Sequence, residues 1–191
     1  MKNKAVLVID MIKDTFKNRE SPLAVEGLAF LPVLNRLLKK GREAGMQVIF
    51  AMDSFLKNDY FFSGKLRPYA IRGTEGAEVI NEIEKHPKDM YLPKRRFSAF
   101  YKTDLDQTLR VLDIDTVVLT GISTSVCVLA TALDALSHDF KAIIIEDCCA
   151  GNSKEEHQAI VDTYRKTMLY PFLRIMPAER FLAHISRYSS I

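Results

Sequence analysis

Apolar residues fall along this chain in two alternating rhythms. Ala5-Val6-Leu7-Val8-Ile9 is an unbroken apolar run closed by Asp10, the pattern of a strand buried on both faces. Leu28, Leu31, Leu34, Leu37 and Leu38 then recur at spacings of three and four, which predicts a helix over 28–38. Gly41 and Gly45 loosen its end, and a second strand over 47–52 closes at Asp53. A short helix is expected over 76–83 and a short strand over 90–92, just ahead of Pro93 and Lys94. The spacing predicts a helix over 104–112, with Thr103 as its N-cap. Thr116-Val117-Val118-Leu119-Thr120 is the most β-like run and ends at Gly121. Further helices are expected over 124–137, 155–168 and 178–185, with strands over 142–145 and 172–175.

Strand-helix alternation over the whole length predicts one α/β domain spanning 1–191. Its expected architecture is a doubly wound, Rossmann-like, mainly parallel six-stranded sheet with helices on both faces. In such sheets ligands bind beyond the carboxyl ends of the strands. Asp10, Asp53, Lys94 and the segment from Gly121 to Cys127 all follow predicted strands, so all are expected at one crevice. The stretch 54–74 has little periodicity and reads as a lid or binding loop.

Composition mainly excludes. The 191 residues carry 27 Lys and Arg against 24 Asp and Glu, a net +3. The nearest thing to a basic block is Lys94-Arg95-Arg96, which gives no electrostatic case for nucleic acid. No apolar run approaches the roughly 18 residues of a membrane span, and the N-terminus reads as a strand. Three cysteines outside CxxC spacing argue for a reducing cytoplasm, without a disulfide framework or zinc knuckle. The four histidines lack metal-binding spacing, and no glycine-rich phosphate loop occurs, so neither a metal nor another cofactor is expected.

The chemistry concentrates at three strand ends. Cys127 stands at the turn from strand to helix, where free N–H groups and a nearby cation would lower its pKa. An inert packed cysteine is the competing reading, and the one adopted for Cys148 and Cys149. Asp10 is positioned to take the thiol proton and return it to a leaving amine, or else to cap a helix. Lys94 either stabilises both anions or is a solvated surface lysine.

Val6-Leu7-Val8-Ile9-Asp10-Met11, Lys94-Arg95-Arg96-Phe97-Ser98-Ala99-Phe100 and 115–128 together resemble the isochorismatase-like cysteine hydrolases. That superfamily includes nicotinamidases and N-carbamoylsarcosine amidase. Arg72-Gly73-Thr74-Glu75-Gly76-Ala77 is similar to a further turn of the family. The resemblance implies that Cys127 attacks a carbonyl to form an acyl-enzyme, with Asp10 as base then acid and Lys94 tuning both. It further implies a cis Ile122–Ser123 peptide and an oxyanion hole from the N–H groups of Ser123 and Cys127.

Two departures steer the substrate. Nicotinamidases of this kind hold a metal through Asp-x-His and a second His, whereas Phe55 and Tyr69 stand at about those positions beside Asp53. No metal is therefore expected. Phe16, Asp53, Phe55, Tyr69 and Phe97 are the candidate pocket residues, with Arg67, Arg72, Arg95 and Arg96 as possible carboxylate anchors. The expected activity is hydrolysis of a small amide or ureido C–N bond, in a self-associating enzyme. Alternatives are nicotinamidase, isochorismatase, or a non-catalytic oligomeric binding protein of the same fold.

Overall fold

A computed structural model describes residues 3–186. The strands are β1 (Asn3–Ile9), β2 (Gln47–Asp53), β3 (Met90–Lys94), β4 (Ile114–Ile122), β5 (Lys141–Ala150) and β6 (Leu173–Met176). The helices are α1 (Pro22–Ala29), α2 (Leu31–Glu43), α3 (Leu105–Val111), α4 (Leu129–Ser137), α5 (Lys154–Arg165) and α6 (Ala178–Ser186). The six strands pair in the order β3-β2-β1-β4-β5-β6, every pair parallel. This is the doubly wound α/β sheet expected from the alternation. Its direction of winding reverses between β1 and β4, so the crevice opens beyond their carboxyl ends.

Successive strand residues face opposite sides, and each side buries its own core. Val6, Val8 and Phe50 pack with Leu34, Leu37 and Leu38 of α2 and Phe181 of α6. Ala5, Leu7 and Ile9 pack with Leu105 and Leu109 of α3, Ala132 and Ala135 of α4, and Val161 of α5. No helix among the described residues is long and apolar enough to cross a membrane.

Two local expectations fail. The leucine stripe spans two helices rather than one. Ser21 caps α1 by accepting from the Ala24 N–H, and α2 restarts after Phe30 with proline in its first turn. The helix expected over 76–83 is only a 3₁₀ turn at Glu75–Ala77. Beyond it the backbone is committed elsewhere: Lys13 N–H donates to Glu78 O and Ile80 N–H to Met11 O, pairing this stretch with the segment after β1. The helix expected over 124–137 is present, with 124–128 as a π-type turn ahead of α4, which begins at Leu129. At the start of α3, Thr103 Oγ1 accepts from Leu105 N–H, although Asp104 holds the cap position.

Gly121 sets how closely β1 and β4 approach at the crevice. It pairs with Ile9, has φ +104°, and a Cβ there would lie 2.1 Å from the Ile9 carbonyl oxygen. Left-handed strain and collision with backbone both act against any side chain. Gly121→Ala is expected to cost about 3 kcal/mol of stability, measured by urea unfolding. A cost below about 0.5 kcal/mol would contradict this reading.

Candidate active site

Four candidate side chains meet because four strands end at one level. Asp10 follows β1 directly, held by its N–H donating to Ala51 O of β2, and adopts φ +52°. A left-handed non-glycine residue is uncommon and persists where its surroundings over-determine it. Asp53 and Lys94 are register partners at the ends of β2 and β3. Beyond β4 the chain passes through a cis Ile122–Ser123 peptide into the π-type turn that carries Cys127.

Lys94 is the hub. Its Nζ donates to Asp10 Oδ2 at 2.8 Å and to Asp53 Oδ1 at 2.6 Å, and lies 3.7 Å from Cys127 Sγ. Asp10 Oδ1 accepts from the Asp53 N–H at 2.8 Å, and Tyr69 OH donates to Asp53 Oδ2 at 2.7 Å. Lys94 is fully buried, and Asp10, Asp53 and Cys127 expose only 5%, 4% and 7% of their surface. Charges taken this far out of water persist only when paired.

Burial and the neighbouring Asp53 raise Asp10 to about 6, against the lowering pull of Lys94. Burial disfavours the Lys94 ammonium, but Asp10, Asp53 and Cys127 outweigh it and hold the charge above the ordinary lysine range. Burial and then the Asp10 carboxylate push the Cys127 thiol well up. The thiolate expected from the turn and the nearby cation is therefore corrected. Lys94 divides its charge between two carboxylates and has too little left to hold the sulfur ionised at rest. What results is a thiol facing a carboxylate of raised basicity, a pair ready for proton transfer at the moment of attack.

The turn around Cys127 is braced from outside. Val126 and Val128 N–H groups donate to Ser123 O, closing the turn. Thr124 Oγ1 pairs with His157 Nδ1 at 2.8 Å and Ser125 Oγ with Glu156, both on the first turn of α5. Nothing in the spacing of the sequence marks those two contacts.

The candidate pocket residues separate. Asp53 is part of the charged hub. Phe55 is buried in a ring cluster with Phe61, Phe62 and Tyr69, at centroid distances of 6.3, 5.4 and 5.4 Å. Phe97 is half exposed and leans on Phe61 at 5.0 Å. Phe16 is not brought to this group. It packs in the opposite core, where a Cβ on Gly27 would come within 2.7 Å of its ring. Of the four arginines, Arg95 and Arg96 bond Asp59, and Arg72 Nε donates to Ser54 Oγ, while Arg67 is exposed.

A zinc site does not fit these residues. Asp10, Asp53 and Cys127 bring ligand atoms within 4.8 Å of one another, but the Lys94 ammonium already sits among them. Tyr69 takes the remaining oxygen of Asp53, and Phe55 offers no donor atom. Zinc favours imidazole and thiolate ligands, and none of the four histidines belongs to the set.

The isochorismatase domain model matches residues 4–174. A probable inactive nicotinamidase of Arabidopsis thaliana is 30% identical over 170 residues, covering 83% of this chain and 86% of its own. The crystal structure of an isochorismatase-like hydrolase from Alkaliphilus metalliredigens superposes with a TM-score of 0.85 at 32% identity, over 95% of this chain and 98% of that one. N-carbamoylsarcosine amidase from Thermoplasma acidophilum gives a TM-score of 0.80 at 28% identity, over 93% and 97%. The chain therefore belongs to the isochorismatase family of hydrolases.

Proposed function

We propose that the protein is a cysteine amidohydrolase that cleaves the C–N bond of a small amide or ureido compound without a metal. The observation that carries this reading is the buried convergence of Asp10, Lys94 and Cys127 at the strand ends. Cys127 Sγ attacks the carbonyl carbon as its proton passes to Asp10. The oxyanion faces the N–H groups of Ser123 and Cys127, each such donor being worth roughly 3 kcal/mol in the transition state. Asp10 returns the proton to the nitrogen as the C–N bond breaks and ammonia or an amine departs. It then takes a proton from water, whose oxygen attacks the thioester, and gives that proton back to the departing sulfur. Lys94 keeps Asp10 ionised and balances the negative charge that moves between carboxylate and sulfur.

Likeness to N-carbamoylsarcosine amidase favours a ureido or carbamoyl substrate. The name of the Arabidopsis relative favours a second reading, a non-catalytic binding protein. Ammonia release over a panel of small amides and ureas, nicotinamide included, tests both. Turnover of a ureido compound, unchanged by a chelator, is expected. Chelator-sensitive turnover would overturn the metal-free mechanism, and no turnover of any member would favour the binding reading.

Because Asp10 must start ionised, kcat/KM is expected to fall as pH drops through about 6. Asp53 helps raise Asp10, so Asp53→Asn is expected to move this acid limb to lower pH. A limb that stays in place or moves upward would contradict the assignment of Asp10 as base.

A further inference from the structure

A second concentration of charge lies where β3 leaves the sheet. A cavity of about 230 Å³ is lined by Arg72, Pro93, Arg95, Arg96, Tyr101 and Lys102. Four of these six are cations and none is acidic. The carboxylate bonded to the group is Asp59, through Arg95 Nε at 3.2 Å and Nη2 at 2.5 Å, and Arg96 Nη1 at 3.5 Å. Four cations less one carboxylate leave a surplus of three positive charges around a small space.

The cationic groups are oriented in advance. Asp59 holds Arg95 by one edge of its fork. Arg96 Nη1 donates to Arg95 O at 2.6 Å, and its guanidinium lies 5.3 Å from the Phe61 ring centroid. Arg72 Nε is fixed on the buried Ser54 hydroxyl at 3.1 Å. A guanidinium carries five N–H donors, so each of the three keeps donors for a ligand. Pinning them beforehand lowers the ordering cost of binding.

The walls of the cavity belong to different parts of the chain. Arg72 lies near the end of the 54–74 segment, whereas Arg95, Arg96 and Lys102 lie between β3 and α3. Like charges on the two walls repel when no anion lies between them, and one oxyanion would bridge them. Pro93 lines the cavity while Lys94 points into the catalytic hub, and neighbouring strand residues face opposite sides. The cavity is therefore separate from the reacting atoms.

We propose that this cavity binds a small oxyanion, a phosphate or a carboxylate, which bridges Arg72 to the β3–α3 connection and fastens the 54–74 segment. Binding does not depend on turnover, so this inference stands apart from the catalytic reading. The test titrates the full chain with inorganic phosphate and, separately, with malonate, at ionic strength held constant with chloride. Thermal unfolding and proteolysis within 54–74 are both followed. A saturable rise in midpoint with slower cleavage is expected, and the more effective anion identifies the source. Lys102→Gln, an exposed position, and Arg72→Gln should each weaken binding about tenfold, a change of roughly 1.4 kcal/mol. No saturable effect of either anion beyond chloride would overturn the site, as would affinity unchanged in both variants. Binding that leaves cleavage within 54–74 unaltered would overturn the fastening role.

Discussion

Cys127→Ala is expected to lower kcat/KM by at least about 10⁴-fold while the protein stays folded. In the proposed mechanism Asp10 and Lys94 activate or balance the sulfur, and neither supplies a replacement nucleophile at its position. The side chain is small and Lys94 keeps both carboxylate partners, so little stability is at stake. Thermal unfolding and circular dichroism should match the parent closely. Cys148 and Cys149 are the internal control. Both are buried, and burial pushes each thiol well above the ordinary cysteine range. Alanine at either should leave turnover intact. A Cys127→Ala protein with near-parent activity would refute the mechanism.

Lys94→Met should be the most destabilising single change in the site. It removes the ammonium and leaves Asp10 and Asp53 buried side by side. Removing one partner of a buried ion pair costs about 3–5 kcal/mol because the other charge remains unpaired. The penalty should depend on pH with a definite sign. Lys94 lowers Asp10, so without it Asp10 rises further above 6. A carboxyl held above its unfolded value supports the fold while protonated and weakens it as pH rises through the folded value. The gap between parent and variant in urea unfolding should therefore be wider at pH 8 than at pH 5. An equal gap at both would mean that lost packing, rather than unpaired charge, causes the loss.

How far the chain could be read in advance depended on the kind of signal. Strands such as 5–9 and 116–120 are visible because a parallel sheet covered on both faces demands continuous apolar runs. The ends of those runs located Asp10, Asp53 and Lys94. The helix expected over 76–83 failed because its apolar residues Ile80 and Ile83 are buried without helical backbone bonds. Burial alone does not distinguish those two cases. Spacing marks Asp53 as a pocket residue, but its part as the second partner of Lys94 depends on register between β2 and β3, which spacing does not encode. The same holds for Asp59 under Arg95 and Arg96, and for Glu156 and His157 behind the turn that carries Cys127. Each contact joins residues at least 30 positions apart. Phe16 shows the converse, an aromatic close in sequence to Asp10 that faces the opposite core. The Cys127 thiol departs from the sequence expectation for an energetic reason. A cation beside a sulfur lowers its pKa only when nearer anions have not already claimed the cation.

The proposed mechanism turns on a covalent intermediate at Cys127. Its most direct test is mass spectrometry of enzyme quenched in acid during the first turnover of an accepted amide or ureido substrate. The mechanism predicts an acyl or carbamoyl adduct on the peptide carrying Cys127, with one equivalent of ammonia or amine released per site ahead of the acid product. Amine and acid released in step, with Cys127 unmodified at every quench time, would contradict it.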